Sequence, residues 1–237
     1  MSDLRIGLIA EGKTDQIVIQ ASLKAILSQS FVLTLLQPET SDALGGAGPL
    51  GGGWGGVYGW CRQLMTMQYA VGANPSLIDF DLIIIHVDAD IAGKHYSDYG
   101  ISNGLNNLPC ERPCPPPEDS VDALRSVVAG WLNLPSTGGL PVQWVFCTPS
   151  KCTEAWVIAA LYKSTVPTIL NEIECNGGLE SWLSQRPVRE GKLIRSGKKQ
   201  TTAYLKIAQR VTDGWGDICS HCSQAIRFGD AVRATLI

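Results

Sequence analysis

Leu4-Arg5-Ile6-Gly7-Leu8-Ile9-Ala10-Glu11-Gly12-Lys13-Thr14-Asp15 is the stretch on which the fold class turns. Leu4 to Ala10 is a short apolar run that reads as a strand, Gly12 permits a sharp turn, and Thr14 starts a helix. From Thr14 to about Ser28 the apolar residues Ile17, Val18, Ala21, Leu23, Ile26 and Leu27 recur near helical spacing. Thr14 is placed to cap this helix, and Asp15 suits its positive end.

The same alternation continues outward. Phe31 to Leu36 predicts a second strand, and a helix is expected from about Val57 to Tyr69. Asp81 to Val87 is a nearly continuous apolar run ending in acids, the pattern of a central strand covered on both faces. Glu118 to Leu132 reads as helix, Val142 to Cys147 as a fourth strand, and Thr153 to Lys163 as the next helix. Strands alternating with helices argue an α/β, Rossmann-like domain with a mainly parallel sheet flanked by helices. We place this domain at 1–165. A helical C-terminal extension, 166–237, packs on it, with helices near 200–212 and 223–235. Two segments interrupt the pattern. Residues 45–59 carry nine glycines and predict a mobile loop, and residues 103–117 are irregular and proline-rich.

Composition narrows the function classes. With 237 residues, 45% hydrophobic and 17% charged, the chain can bury a full core. Its net charge of −3 carries no overall basic signal, so any polyanion site must be local or filled by metal. No run approaches the roughly 18–20 apolar residues of a membrane span, and the N-terminus lacks the regions of a signal peptide. We therefore expect a cytoplasmic protein with no membrane partner, whose eight cysteines are reduced. Cys110, Cys114, Cys219 and Cys222 are spaced so that their thiolates can turn toward one zinc ion; ordinary half-buried cysteines are the simpler reading.

The acids carry the chemistry. Glu11 follows the first strand and Asp15 lies one helical turn on, so both can face one crevice. Asp88 and Asp90 follow the apolar strand, and in extended backbone their side chains point the same way. Glu154 opens the helix after the fourth strand. In an open α/β sheet, ligands bind beyond the carboxyl ends of the strands, which puts all three acidic elements on one edge. Clustered carboxylates repel one another unless a divalent cation sits among them. These five acids are candidates to hold two Mg²⁺ or Mn²⁺ ions about 4 Å apart, a geometry suited to phosphodiester cleavage. Each has a simpler role beside it. Asp15 and Glu154 can be helix-start acids, with Thr153 as cap of the second helix, and Asp88 and Asp90 can terminate a strand in a turn.

Glu11-Gly12-Lys13-Thr14-Asp15 after a first strand, Asp88-Ala89-Asp90 after an apolar strand and Glu154-Ala155-Trp156 after a later one resemble the TOPRIM fold. The likeness is to TOPRIM-like proteins related to OLD-family nucleases. In the tail, Tyr204-Leu205-Lys206, Cys219 and Ala225-Ile226-Arg227-Phe228 are similar to a small uncharacterised TOPRIM-like family encoded beside ATPases in bacterial defence loci. The resemblance implies a metal-dependent nuclease of DNA or RNA. Glu11 and Asp88 would be catalytic, with Glu11 a metal ligand or general acid, and Asp15, Asp88, Asp90 and Glu154 metal ligands. A basic tail residue would meet the scissile phosphate, left open among Lys198, Lys199 and Lys206, and Lys13 is a further phosphate contact. Antiviral defence and an ATPase partner follow from the resemblance alone.

Two other readings compete. Gly7 to Thr14 matches the P-loop pattern, with the strand ending at Asp88 as its second motif, which would make the chain an NTPase or kinase. Against this, Leu8, Ile9 and Ala10 look like strand interior, and Glu11 would set a carboxylate beside the phosphates. Alternatively the chain is a non-catalytic partner subunit whose acids hold a structural ion. A serine hydrolase is remote, since His86, His95 and His221 are the only histidines and none lies in a nucleophile motif.

Overall fold

The computed structural model describes residues 3–39, 48–67, 74–102, 107–134, 140–163, 167–186 and 192–236. β1 (Leu4–Ile9) runs directly into α1 (Lys13–Ile26), followed by β2 (Phe31–Gln37), α2 (Gly53–Thr66) and β3 (Leu82–His86). α3 (Glu118–Trp131), β4 (Trp144–Cys147) and α4 (Glu154–Tyr162) complete the alternation. The four strands form one parallel sheet in the order β2-β1-β3-β4. The chain moves from β1 outward to β2 and then back across to β3. The crevice between the carboxyl ends of β1 and β3 is therefore the topological switch point, where open α/β sheets take their ligands.

Strand parity divides the core into two layers. Ile6, Leu8, Leu82, Ile84, Val145 and Cys147 face one side, where they pack against α1, α4 and the C-terminal helices. Ile9, Ile83, Ile85 and Trp144 face the other and meet α2 and α3. Period-two alternation with both faces apolar is what a parallel sheet covered on both sides requires.

The C-terminal region contributes α5 (Leu179–Ser184), a short hairpin of β5 (Ile194–Arg195) and β6 (Lys198–Lys199), then α6 (Thr201–Asp213), α7 (Trp215–His221) and α8 (Ser223–Leu236). Tyr204, Ile207, Val211, Ile218 and Phe228 join the same cluster as β1, α1 and α4, so the extension shares the main core. α4 is enclosed by it. Eight of its nine residues are buried, and Trp156 stands edge-on to Trp215 and stacks on Phe228 at centroid distances of 5.7 and 5.9 Å.

Several expectations need correction. The glycine-rich stretch is a helix from Gly53 onward, and residues 45–47 lie outside the described structure. Gly53 has φ +68°, and a Cβ on Gly56 would come within 2.6 Å of the Gly51 carbonyl, so glycines there permit a tight helix entry. Thr14 does not cap α1. Gly12 holds the cap position, and no side chain caps the helix. Gly7 lies within β1, and only Ala10, Glu11 and Gly12 separate β1 from α1, so the phosphate-cradling loop of a P-loop is not formed. Cys114 and Cys175 are joined by a disulfide, contrary to the expectation of reduced thiols, because the proline-rich segment is laid against the 3₁₀ turn Ile173–Cys175. That bond removes Cys114 from the four-cysteine zinc set, and Cys222 is buried. Among the described residues, no helix is long and apolar enough to cross a membrane.

The α6–α7 corner seats on α4 with no room to spare. A Cβ added at Gly214 would lie 2.9 Å from Ala160 Cβ and 3.0 Å from its Cα, whereas one at exposed Gly216 would meet nothing within 4 Å. Gly214→Ala is expected to destabilise the fold by about 1–3 kcal/mol in urea unfolding. Gly216→Ala, within α7, should be neutral or stabilising by up to ~1 kcal/mol.

Candidate metal centre

Three strand ends converge at the switch point. Glu11, in the link from β1 to α1, is half-buried; its Oε1 accepts the backbone N–H of Asp88 at 2.8 Å. Its main-chain carbonyl accepts the N–H of Gly53 at 2.8 Å, which seats the start of α2 against the crevice. This one side chain ties the end of β1 to the end of β3. Asp15, in the first turn of α1, is 4% exposed and accepts the Thr153 hydroxyl proton at 2.7 Å on Oδ1. Thr153 thus spends its hydroxyl across the crevice rather than on capping α4, where no side-chain cap forms.

β3 ends at His86, which is completely buried. His86 and Asp88 have the same strand parity, and His86 Nε2 lies 3.1 Å from Asp88 Oδ1. Asp15, His86 and Asp88 form the one set among the described residues whose candidate ligand atoms all lie within 4.8 Å of one another. Asp90 does not share this direction. The backbone leaves the extended form after Asp88 and makes a 3₁₀ turn over Ala89–Ile91, held to the next loop by Ala89 N–H to Pro149 O and Asp90 N–H to Lys151 O. Asp90 is exposed as a result, and the expected pairing of Asp88 with Asp90 is replaced by that of His86 with Asp88.

Glu154 is completely buried beside this set and is held by residues of the C-terminal region. Lys199 Nζ lies 2.9 Å from both of its oxygens, and the Tyr204 hydroxyl donates to Oε1 at 2.6 Å. The same ammonium is 2.9 Å from Glu180 and 4.0 Å from Asp15. Among the tail lysines weighed for phosphate contact, the structure brings Lys199 to the crevice, while Lys198, Lys206 and also Lys13 are exposed. Sequence reasoning passed over His86, Thr153, Glu180 and Tyr204 as parts of the site. For His86 a signal existed: a lone imidazole in an otherwise apolar strand, at i−2 from Asp88.

Burial sets the electrostatics. It drives the Glu11 carboxyl well above the usual carboxylate range, and the charges of Asp88 and Asp15 push the same way. Burial likewise raises Asp88 to about 7, against the pull of His86. For His86, burial favours the neutral ring, but Asp88, Asp15 and Glu11 outweigh it and raise the imidazole to about 9. Lys199, although desolvated, is raised by Glu154 and Asp15 and keeps its proton. These are carboxylates short of positive charge, and the donor set of two aspartates and an imidazole fits a divalent cation.

Without metal the linkage has a definite sign. Asp88 binds its proton more tightly when folded, so its contribution to stability is complete below its ordinary 3.8 and is lost as pH rises through about 7. His86 contributes below its ordinary 6.5 and loses that contribution as pH rises through about 9. In chelator, the unsubstituted chain should therefore lose stability relative to Asp88→Asn as pH rises from 4 through about 7, read in denaturant titrations. Saturating divalent cation should move the comparison back toward the aspartate chain at pH 8, because only that chain binds it tightly. No family model, curated protein or solved structure matches the chain, so its own geometry is what bears on function.

Proposed function

We propose that the chain is a divalent-metal-dependent nuclease that hydrolyses phosphodiester bonds of DNA or RNA. The observation that carries this reading is the convergence of Glu11, Asp15, His86 and Asp88 at the switch point of a parallel sheet, beside the Lys199 ammonium. Asp15 and Asp88 would hold Mg²⁺ or Mn²⁺, and an ion bound there supplies an acidified water and offsets charge on phosphate oxygens.

The residues of the chain have separable tasks. Asp15 is oriented by the Thr153 hydroxyl and Asp88 by the His86 ring, so both carboxylates present fixed oxygens to the crevice. Glu11 uses Oε1 to accept the Asp88 N–H, leaving Oε2 to carry a proton. Its raised affinity for that proton suits it to protonate a leaving oxygen as general acid. Lys199 places a fixed positive charge next to Asp15, where a phosphate bound at the acids would meet it. Glu154, itself held by the Tyr204 hydroxyl, holds that lysine from behind. Exposed Lys13 and Lys206 are available to the rest of a polyanion.

The wider proposal follows the TOPRIM resemblance: a cytoplasmic effector of antiviral defence that works with an ATPase partner. The Cys114–Cys175 bridge runs against that reducing setting. One observation favours a second reading, a non-catalytic subunit with a structural ion: Lys199 already neutralises Glu154 and Glu180 within the chain.

Incubation with supercoiled plasmid, single-stranded DNA and RNA in Mg²⁺ or Mn²⁺ separates the two. The nuclease predicts cleavage that stops in chelator and falls by roughly 100-fold or more in Asp88→Asn and Glu11→Gln. Metal binding with no cleavage of any of the three substrates would support the structural-ion reading instead.

A further inference from the structure

We propose that His86 is a direct nitrogen ligand of the cation held by Asp15 and Asp88, so that the centre prefers a Mn²⁺-class transition ion to Mg²⁺. The inference rests on the metal-dependent reading of the same site and goes beyond it in naming Nε2 of His86 as the ligand atom and in naming the class of ion.

Three observations support it. First, His86 interrupts a strand whose other residues, Leu82 to Ile85, are wholly apolar, and it is completely buried. Second, its Nδ1 has no hydrogen-bond partner. With Nδ1 unengaged, the neutral ring can keep its one proton there and turn the Nε2 lone pair toward the acids. Third, the ring belongs to the cluster in which ligand atoms of Asp15, His86 and Asp88 lie within 4.8 Å of one another.

The spacing agrees with coordination. His86 Nε2 and Asp88 Oδ1 are 3.1 Å apart. Two neighbouring ligands at right angles, each about 2.1 Å from an octahedral ion, are about 3.0 Å apart, so one small adjustment turns this contact into an edge of a coordination shell. The ring belongs to the last residue of β3, Asp88 follows two residues on in extended backbone, and Glu11 fixes the Asp88 N–H. The chemical consequence follows from the donor types. A carboxylate-only centre suits hard Mg²⁺, whereas an imidazole nitrogen shifts affinity toward Mn²⁺ and later members of the first row.

The test uses the 237-residue chain loaded with substoichiometric Mn²⁺ and pulsed electron paramagnetic resonance, read in natural-abundance protein and in protein labelled with ¹⁵N only at histidine. The expected result is a nitrogen coupling on Mn²⁺ that changes with the histidine label. A parallel competition titration should show Mn²⁺ bound at least ~100-fold more tightly than Mg²⁺, with His86→Gln lowering Mn²⁺ affinity by about 10-fold or more. Circular dichroism checks the fold of that variant, and the labelling comparison requires no variant. Mn²⁺ bound without a histidine coupling would overturn the ligand assignment and leave the metal site standing, with His86 only a counter-ion for Asp88. No Mn²⁺ binding at all would overturn the ligand assignment and the metal-dependent reading together. Neither result depends on cleavage being observed.

Discussion

Desolvated like charge is the constraint on which this molecule turns. Asp15, Asp88 and Glu154 are buried within one crevice, with Glu11 half-buried at its edge. A carboxylate removed from water is costly unless it gains hydrogen bonds and positive charge. The chain answers with the Asp88 N–H on Glu11, the Thr153 hydroxyl on Asp15, the His86 ring on Asp88, and Lys199 with Tyr204 on Glu154. The balance is uneven. Glu154 is fully served, while Glu11 and Asp88 are pushed toward their protonated forms, and the open demand for charge falls where the sheet directs a ligand.

That arrangement explains why the C-terminal region is inseparable from the α/β part. Lys199 comes from β6 and Tyr204 from the first turn of α6, and both reach Glu154 at the head of α4. They arrive there because α6, α7 and α8 enclose α4 on apolar contacts centred on Trp156, Trp215, Phe228 and Ile207. Packing holds the charges in place. Glu174 extends the scheme, accepting the N–H groups of Ser223 and Gln224 at the start of α8 at 2.7 and 3.0 Å, while its neighbour Cys175 is bonded to the proline-rich segment.

The placement of the acids at strand ends was legible because strand ends are marked locally. An apolar run stops, an acid or glycine follows, and the rule for parallel sheets supplies the edge. The direction of individual side chains was less so. Asp88 and Asp90 share a direction only in extended backbone, and backbone bonds to Pro149 and Lys151, on another loop, draw the chain into a 3₁₀ turn between them. Thr14 and Thr153 both fit the local pattern of a cap, and neither side chain caps its helix; for Thr153 a partner 138 residues away in sequence takes the hydroxyl.

The sequence by itself determined the four parallel strands, the helices between them, and the acids gathered on one edge, because periods of two and of 3.6 residues and turn chemistry act over a few neighbours. The tertiary structure alone decided that His86 joins Asp15 and Asp88, that Lys199 rather than Lys206 reaches the acids, and that Cys114 finds Cys175. Those outcomes depend on which distant segments share a desolvated crevice. No local period encodes that meeting: it is set by how helices pack around the sheet and by the need of each buried charge for a partner.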